Sequence, residues 1–138
     1  MAVIELRICI DVPDLERAVR FYTDALGLVP GRRFGAAGVE LLGGPCPVDL
    51  LVKQPGTRAN PGSAQVRDFA RHWTPVHLDV VVPDLDAALP RALAAGATQE
   101  GEVQTHAWGR LSLLADPFGH GLCLLQMTGR GYDAIASG

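Results

Sequence analysis

Lysine is almost missing from this chain: Lys53 is the single one among 138 residues. No cluster of Lys or Arg replaces it, and the formal charge is -3 with a pI near 5.7. A nucleic-acid partner is therefore not expected, because such binding rests on a basic stripe. Cysteine is also scarce. Cys9, Cys46 and Cys123 are an odd number without C-x-x-C spacing, which points to neither a disulfide framework nor a structural zinc knot. No apolar run approaches the roughly 20 residues of a membrane helix, and the first residues lack a basic segment followed by an apolar one. A soluble, cytoplasmic protein that does not enter membranes is expected. The chain also has no G-x-S-x-G elbow, phosphate-cradling glycine loop or dinucleotide fingerprint.

What the chain does have is a repeat. Val-Pro-Asp-Leu occurs at 12–15 and again at 82–85, an offset of 70 residues (82 minus 12), each time between a β-branched run and an Ala-rich helical pattern. Asp14 and Asp84 are placed to accept hydrogen bonds from the first free N–H groups of a helix, with proline fixing the backbone just outside. A period this long is not that of a solenoid and suggests two fused half-domains. At 48% hydrophobic and 20% charged residues the chain can bury one sizeable core. The expected organisation is a single domain over 1–138. It comprises module one at about 1–54, a linker at about 55–74, module two at about 75–128 and an irregular tail at 129–138.

Residues 3–12 alternate, setting Ile4, Leu6, Ile8, Ile10 and Val12 on one face and Glu5, Arg7, Cys9 and Asp11 on the other. The helix from about Asp14 to Leu26 would cover the apolar face with Leu15, Ala18, Val19, Tyr22 and Leu26, ending at Gly27. Short strands are expected at Arg32–Phe34, Val39–Leu42 and Val48–Val52. In the linker, Val66, Phe69, Ala70 and Trp73 have helical spacing, predicting one short amphipathic helix.

Module two repeats the plan. His77 and Asp79 share the parity of Arg7 and Cys9, and a helix is expected from Asp84 to about Ala95, strained by Pro90. Strands should follow near Glu102–His106, Leu111–Leu114 and Gly121–Gln126, with Asp116-Pro117-Phe118-Gly119 as the last turn. Aligning the copies sets Val39–Leu42 against Leu111–Leu114, and Asp49 against Cys123.

The patterns VPDLERAVRFYTDALGL at 12–28, HLDVVVPDLDAALPRALAAGA at 77–97 and WGRLSLLADPFGHGLCLL at 108–125 together resemble the vicinal-oxygen-chelate superfamily. That superfamily includes glyoxalase I, bleomycin-resistance proteins and extradiol dioxygenases. The resemblance implies an α+β fold in which two tandem βαβββ modules form a cupped, partly open barrel around the ligand. It also implies a homodimer. In the metal-dependent members, His or Gln early and Glu late in each module hold the ion. Those positions here are Arg7, Asp49, His77 and Cys123, of which only His77 is the usual choice.

A guanidinium stays protonated and repels a dication, so a metal is not expected at this set. Arg7 is expected to pair with Asp49 instead. Should a metal such as Zn, Ni, Fe or Mn bind, Asp49, His77 and Cys123 are the candidate ligands. The candidate ligand-binding residues are Arg7, Cys9, Asp49, His77, Asp79, His106, Trp108 and Cys123, with Trp108 able to stack on a planar ligand. The expected function is metal-free binding of a small apolar or aromatic molecule; the alternatives are a metal-dependent glyoxalase-type lyase or dioxygenase, and a metal-independent enzyme in which Arg7 supplies the positive charge. No catalytic residue is assigned.

Overall fold

The computed structural model describes residues 3–138. The chain forms two compact units, one ending at Phe69 and the other beginning at Ala70, so each unit carries one copy of the repeat. The first contains β1 (Ile8–Val12), α1 (Leu15–Leu26), β2 (Val29–Arg33), β3 (Gly38–Leu42) and β4 (Val48–Val52). Its sheet runs in the order β1-β4-β3-β2, with β1 parallel to β4 and the other pairs antiparallel. Asp14 caps α1 by accepting from Arg17 N at 3.1 Å, and Gly27 closes it in the left-handed region. The buried stripe of α1 is Leu15, Ala18, Phe21, Tyr22 and Ala25; Val19 and Leu26 are only half-buried at its margins. Beneath the helix lie Val12, Val39, Leu41 and Leu50, all nearly inaccessible. Each side chain of that size contributes roughly 1.5–3 kcal/mol by leaving water.

The first strand is shorter than the alternation predicts. Pairing begins at Ile8↔Val48, and Ile8 N donates to Pro47 O at 3.0 Å. Before β4 the chain runs through Pro45, Cys46 and Pro47, which offer no partner ladder, since proline has no N–H to give. Ile4 and Leu6, expected in the core, are therefore 87% and 66% exposed. Arg7 sits one residue ahead of the paired strand, and His77 stands in the same relation to the first strand of the second unit.

That unit contains β5 (Leu78–Val81), α2 (Leu85–Ala95), β6 (Thr98–Gln99), β7 (Gln104–His106), β8 (Gly109–Ala115) and β9 (Gly121–Met127). Its order is β5-β9-β8-β6, with β7 also on β8. The strand expected at 102–106 is β7, and β6, which was not expected, precedes it on the same edge of β8, across Gly101 at φ 81°. Asp84 caps α2 through Asp86 N and Ala87 N, and the Gln126 amide oxygen accepts from Leu85 N at 2.8 Å. The helix continues through Pro90, but only Leu85 and Ala92 of it are buried. The last turn is fixed by Asp116, whose Oδ1 accepts from Phe118 N and His120 N. Both units are βαβββ modules of an α+β chain, the second with one extra short strand.

Two expectations are corrected. No helix forms in residues 55–74. Its helically spaced part, 66–73, is short and lies between Gly62 and Pro75, too little to nucleate a helix. The segment makes instead an antiparallel bridge between Arg58 and Val66, and Arg67 donates to Asp11 at 2.7 Å. The tail is not wholly irregular, since Gly131–Ala134 form a 3-10 turn. Among the described residues, no helix is long and apolar enough to cross a membrane.

Candidate functional site

Opposite the helix, the first sheet carries a row of polar residues. Cys9 pairs with Asp49 across β1 and β4, and Asp49 pairs with Glu40 across β4 and β3. Two carboxylates thus lie side by side, Glu40 only 4% and Asp49 only 7% exposed. Like charges directly opposite in a sheet repel, and arginine resolves the conflict. Arg7 donates through Nε and Nη2 to the two oxygens of Asp49, both at 2.8 Å. It also reaches Glu40 Oε2 at 2.6 Å and Glu5 Oε1 at 2.7 Å. Arg32 grips Glu40 from β2, with Nη2 at 2.6 Å and Nε at 3.1 Å. A Cβ on Gly31 would come within 2.9 Å of Glu40 Oε1, so glycine lets that strand approach closely.

The hydrogen bonds from Arg32, and then those from Arg7, lower the Glu40 pKa to about 2. Asp49 foremost, with Glu40 and Glu5, pushes the Arg7 guanidinium further up. The Cys9 sulfur lies 4.0 Å from Asp49 Oδ2. Glu40 and Arg32 were not singled out from sequence. A lone acid between Val39 and Leu41 was the available signal.

The second sheet offers different chemistry at the same places. Asp79 pairs with Cys123, and Cys123 with Leu113, so the row Cys9-Asp49-Glu40 becomes Asp79-Cys123-Leu113. The partner of Glu40 is hence Leu113, one residue later than the sequence alignment placed it. Such a slip exchanges the two faces of a strand. Ser112, aligned with Glu40 from sequence, lies on the other face, fully buried, and its hydroxyl has no hydrogen-bond partner. His77 Nε2 lies 3.2 Å from Asp79 Oδ1. Burial first, and then the charge of Asp79, raises the Cys123 pKa to about 11, so the thiol is neutral at pH 7 and a poor nucleophile.

A metal at the four family positions does not fit the first unit's share of them. Arg7 is a cation and both Asp49 oxygens are committed to it. Within the second unit, Asp79 joins His77 and Cys123, their ligand atoms all within 4.8 Å of one another.

Beside these residues the second unit has an open cavity of about 70 Å³. Leu113, Leu122 and Cys123 line it, with Trp73 and His77 as its aromatic side. The Trp73 and His77 rings lie 5.2 Å apart, tilted by 45°. Arg71 spans the rim to Glu100 through two hydrogen bonds of 2.8 Å. Arg71 and Trp73, from the connecting segment, were not among the sequence candidates. Elsewhere in this unit, His106 stacks on Trp108 at 5.2 Å, and Tyr132 from the 3-10 turn meets the indole at 5.3 Å.

Paired βαβββ modules, with the altered ligand positions just ahead of the first strand and on the last strand of each, define the class. Residues 7–125 match the glyoxalase-like domain, and the chain belongs to that family, within the vicinal-oxygen-chelate superfamily. It is similar to TioX from Micromonospora sp. ML1, at 22% identity and a TM-score of 0.68 over 91% of this chain and 100% of that one. The fosfomycin resistance protein FosX from Listeria monocytogenes is similar at 17% identity and a TM-score of 0.69 over 93% and 96%. A lactoylglutathione lyase from Agrobacterium tumefaciens gives 18% identity and 0.63 over 91% and 94%. Likeness at these identities concerns the fold alone. An uncharacterized protein of Mycobacterium bovis is 48% identical over 48 residues, which span 34% of this chain and 32% of that protein.

Proposed function

We propose that this chain binds a small apolar or aromatic molecule without a metal ion, as a cytoplasmic homodimer. The observation that carries this reading is the Arg7 clamp: the guanidinium takes one family ligand position and occupies both oxygens of the next, Asp49. The same commitment to Asp49, Glu40 and Glu5 counts against Arg7 acting directly on a substrate. The dimer is supported by apolar side chains left in water, Ile4, Leu6 and Val76 at 87%, 66% and 83% exposure.

A second reading, a metal-dependent lyase or dioxygenase, is favoured by one observation. His77, Asp79 and Cys123 are the donor types that zinc takes, gathered within 4.8 Å. One preparation tests both. Protein purified without chelator is expected to carry far less than one equivalent of zinc, nickel, iron or manganese by elemental mass spectrometry, and to scatter light as twice 14.6 kDa. Stoichiometric metal that disappears in His77→Ala would overturn the metal-free reading. A single-chain mass at micromolar concentration would overturn the dimer.

A further inference from the structure

The connecting segment ends on the second unit in a way a mere tether does not require. Arg71 is fixed by two hydrogen bonds to Glu100 and one to the carbonyl of His72. The guanidinium lies so close to β9 that a Cβ on Gly121 would stand 2.9 Å from its Nη2. Glycine at 121 therefore leaves room for arginine at the cavity rim. Two residues on, Trp73 is carried over the cavity and against His77, yet it remains 64% exposed. An indole held in place with most of its surface in water is a face for stacking.

Resting on the binding reading above, we propose that this cavity is the ligand site, with Trp73 as its stacking face, and that it takes a planar aromatic molecule, neutral or cationic, in preference to an anion. Size supports the first part. An apolar cavity of roughly 150 Å³ holds a whole benzene ring, so about 70 Å³ accepts only the edge of a ring system. The remainder of a flat molecule must lie outside, where Trp73 is. The floor of Leu113, Leu122 and the buried Cys123 suits an apolar edge.

Charge supports the second part. The fixed cation at the rim, Arg71, is cancelled by Glu100. That leaves the half-exposed carboxylate of Asp79 beside His77 and Cys123. An indole face likewise attracts cations and not anions.

The test uses the full-length chain and two planar dyes: acridine orange, a cation, and 1-anilinonaphthalene-8-sulfonate, an anion. Fluorescence titration is expected to give a Kd for acridine orange at least tenfold lower. Trp73→Ala should raise that Kd tenfold or more, and Trp73→Phe should restore most of the loss. Asp79→Asn should bring the two dyes to within about threefold of each other, as removal of one nearby charge predicts. Preference for the anion, or no change on Trp73→Ala, would overturn the inference and leave the binding reading standing. Loss on Trp108→Ala with none on Trp73→Ala would do the same, moving the site to the His106-Trp108-Tyr132 cluster. Saturable binding of neither dye would overturn both.

Discussion

The two units differ least under their helices and most on the opposite faces of their sheets. Under the helices, Leu50 of β4 and Leu124 of β9 occupy equivalent positions, and both are completely buried. On the opposite faces, equivalent rows have diverged into Cys9-Asp49-Glu40, cross-linked by Arg7 and Arg32, and Asp79-Cys123-Leu113, beside an apolar cavity. A shared scaffold has thus kept its packing and changed its chemistry, because packing is set by volume and period while the other face answers to whatever it must hold. One row spends its charges on itself. The other has a half-exposed carboxylate beside His77 and lies next to a cavity that Trp73 flanks.

The largest expected effects address the hidden faces. Leu50→Ala and Leu124→Ala should each destabilise by about 2–5 kcal/mol in urea denaturation, the range for large-to-small changes in a packed core. A cost below 1 kcal/mol for either one would mean that the two cores are not alike.

Next comes the charged row. Arg7→Met strands Asp49 and Glu40 together and should lower the thermal midpoint by several degrees. Asp49→Leu should do likewise, and the double variant should regain part of the loss. Arg7 is 29% exposed in its side chain, so water screens the effect relative to a fully buried pair. His77→Met, at the matching position of the second unit, should leave the midpoint nearly unmoved. Additive losses in the Arg7 and Asp49 cycle would show the two to be uncoupled.

A smaller contrast lies in acid. The Glu40 carboxyl is depressed in the folded chain from 4.5 to about 2. The unfolded chain therefore binds the more protons between those values. The stability contributed by Glu40 is full above about pH 4.5 and is lost as pH falls through about 2. Glu40→Gln should flatten the acid limb of a stability-against-pH curve measured by urea melts. Glu100→Gln should flatten it less, although Arg71 depresses Glu100 in the same direction. Equal effects would remove this distinction between the two units.

Much of this was legible because it is local. A helix cap involves residues two or three apart, so Val-Pro-Asp-Leu announced both helices and their spacing. Position 7 against 77 followed from the same offset. Glu40 was not legible, since its role depends on β3 lying against β4 in a register fixed by backbone pairing across the sheet. The alignment that placed Ser112 there was one residue out, and one residue is enough to change faces.

The amino-acid order alone determined two βαβββ modules, their caps, their apolar faces and the unusual Arg7, because hydrogen-bond geometry and strand period act over a few neighbouring residues. Tertiary structure decided which groups meet. It placed Arg7 on Asp49, Glu40 and Glu5 together, ended β1 where Pro47 stops offering a ladder, and pulled residues 55–74 out of their helical spacing. It also brought Arg71 to Glu100 and Trp73 to His77. Such contacts are settled by what strands and loops from distant parts of the chain can pack and neutralise, which no short stretch of sequence records.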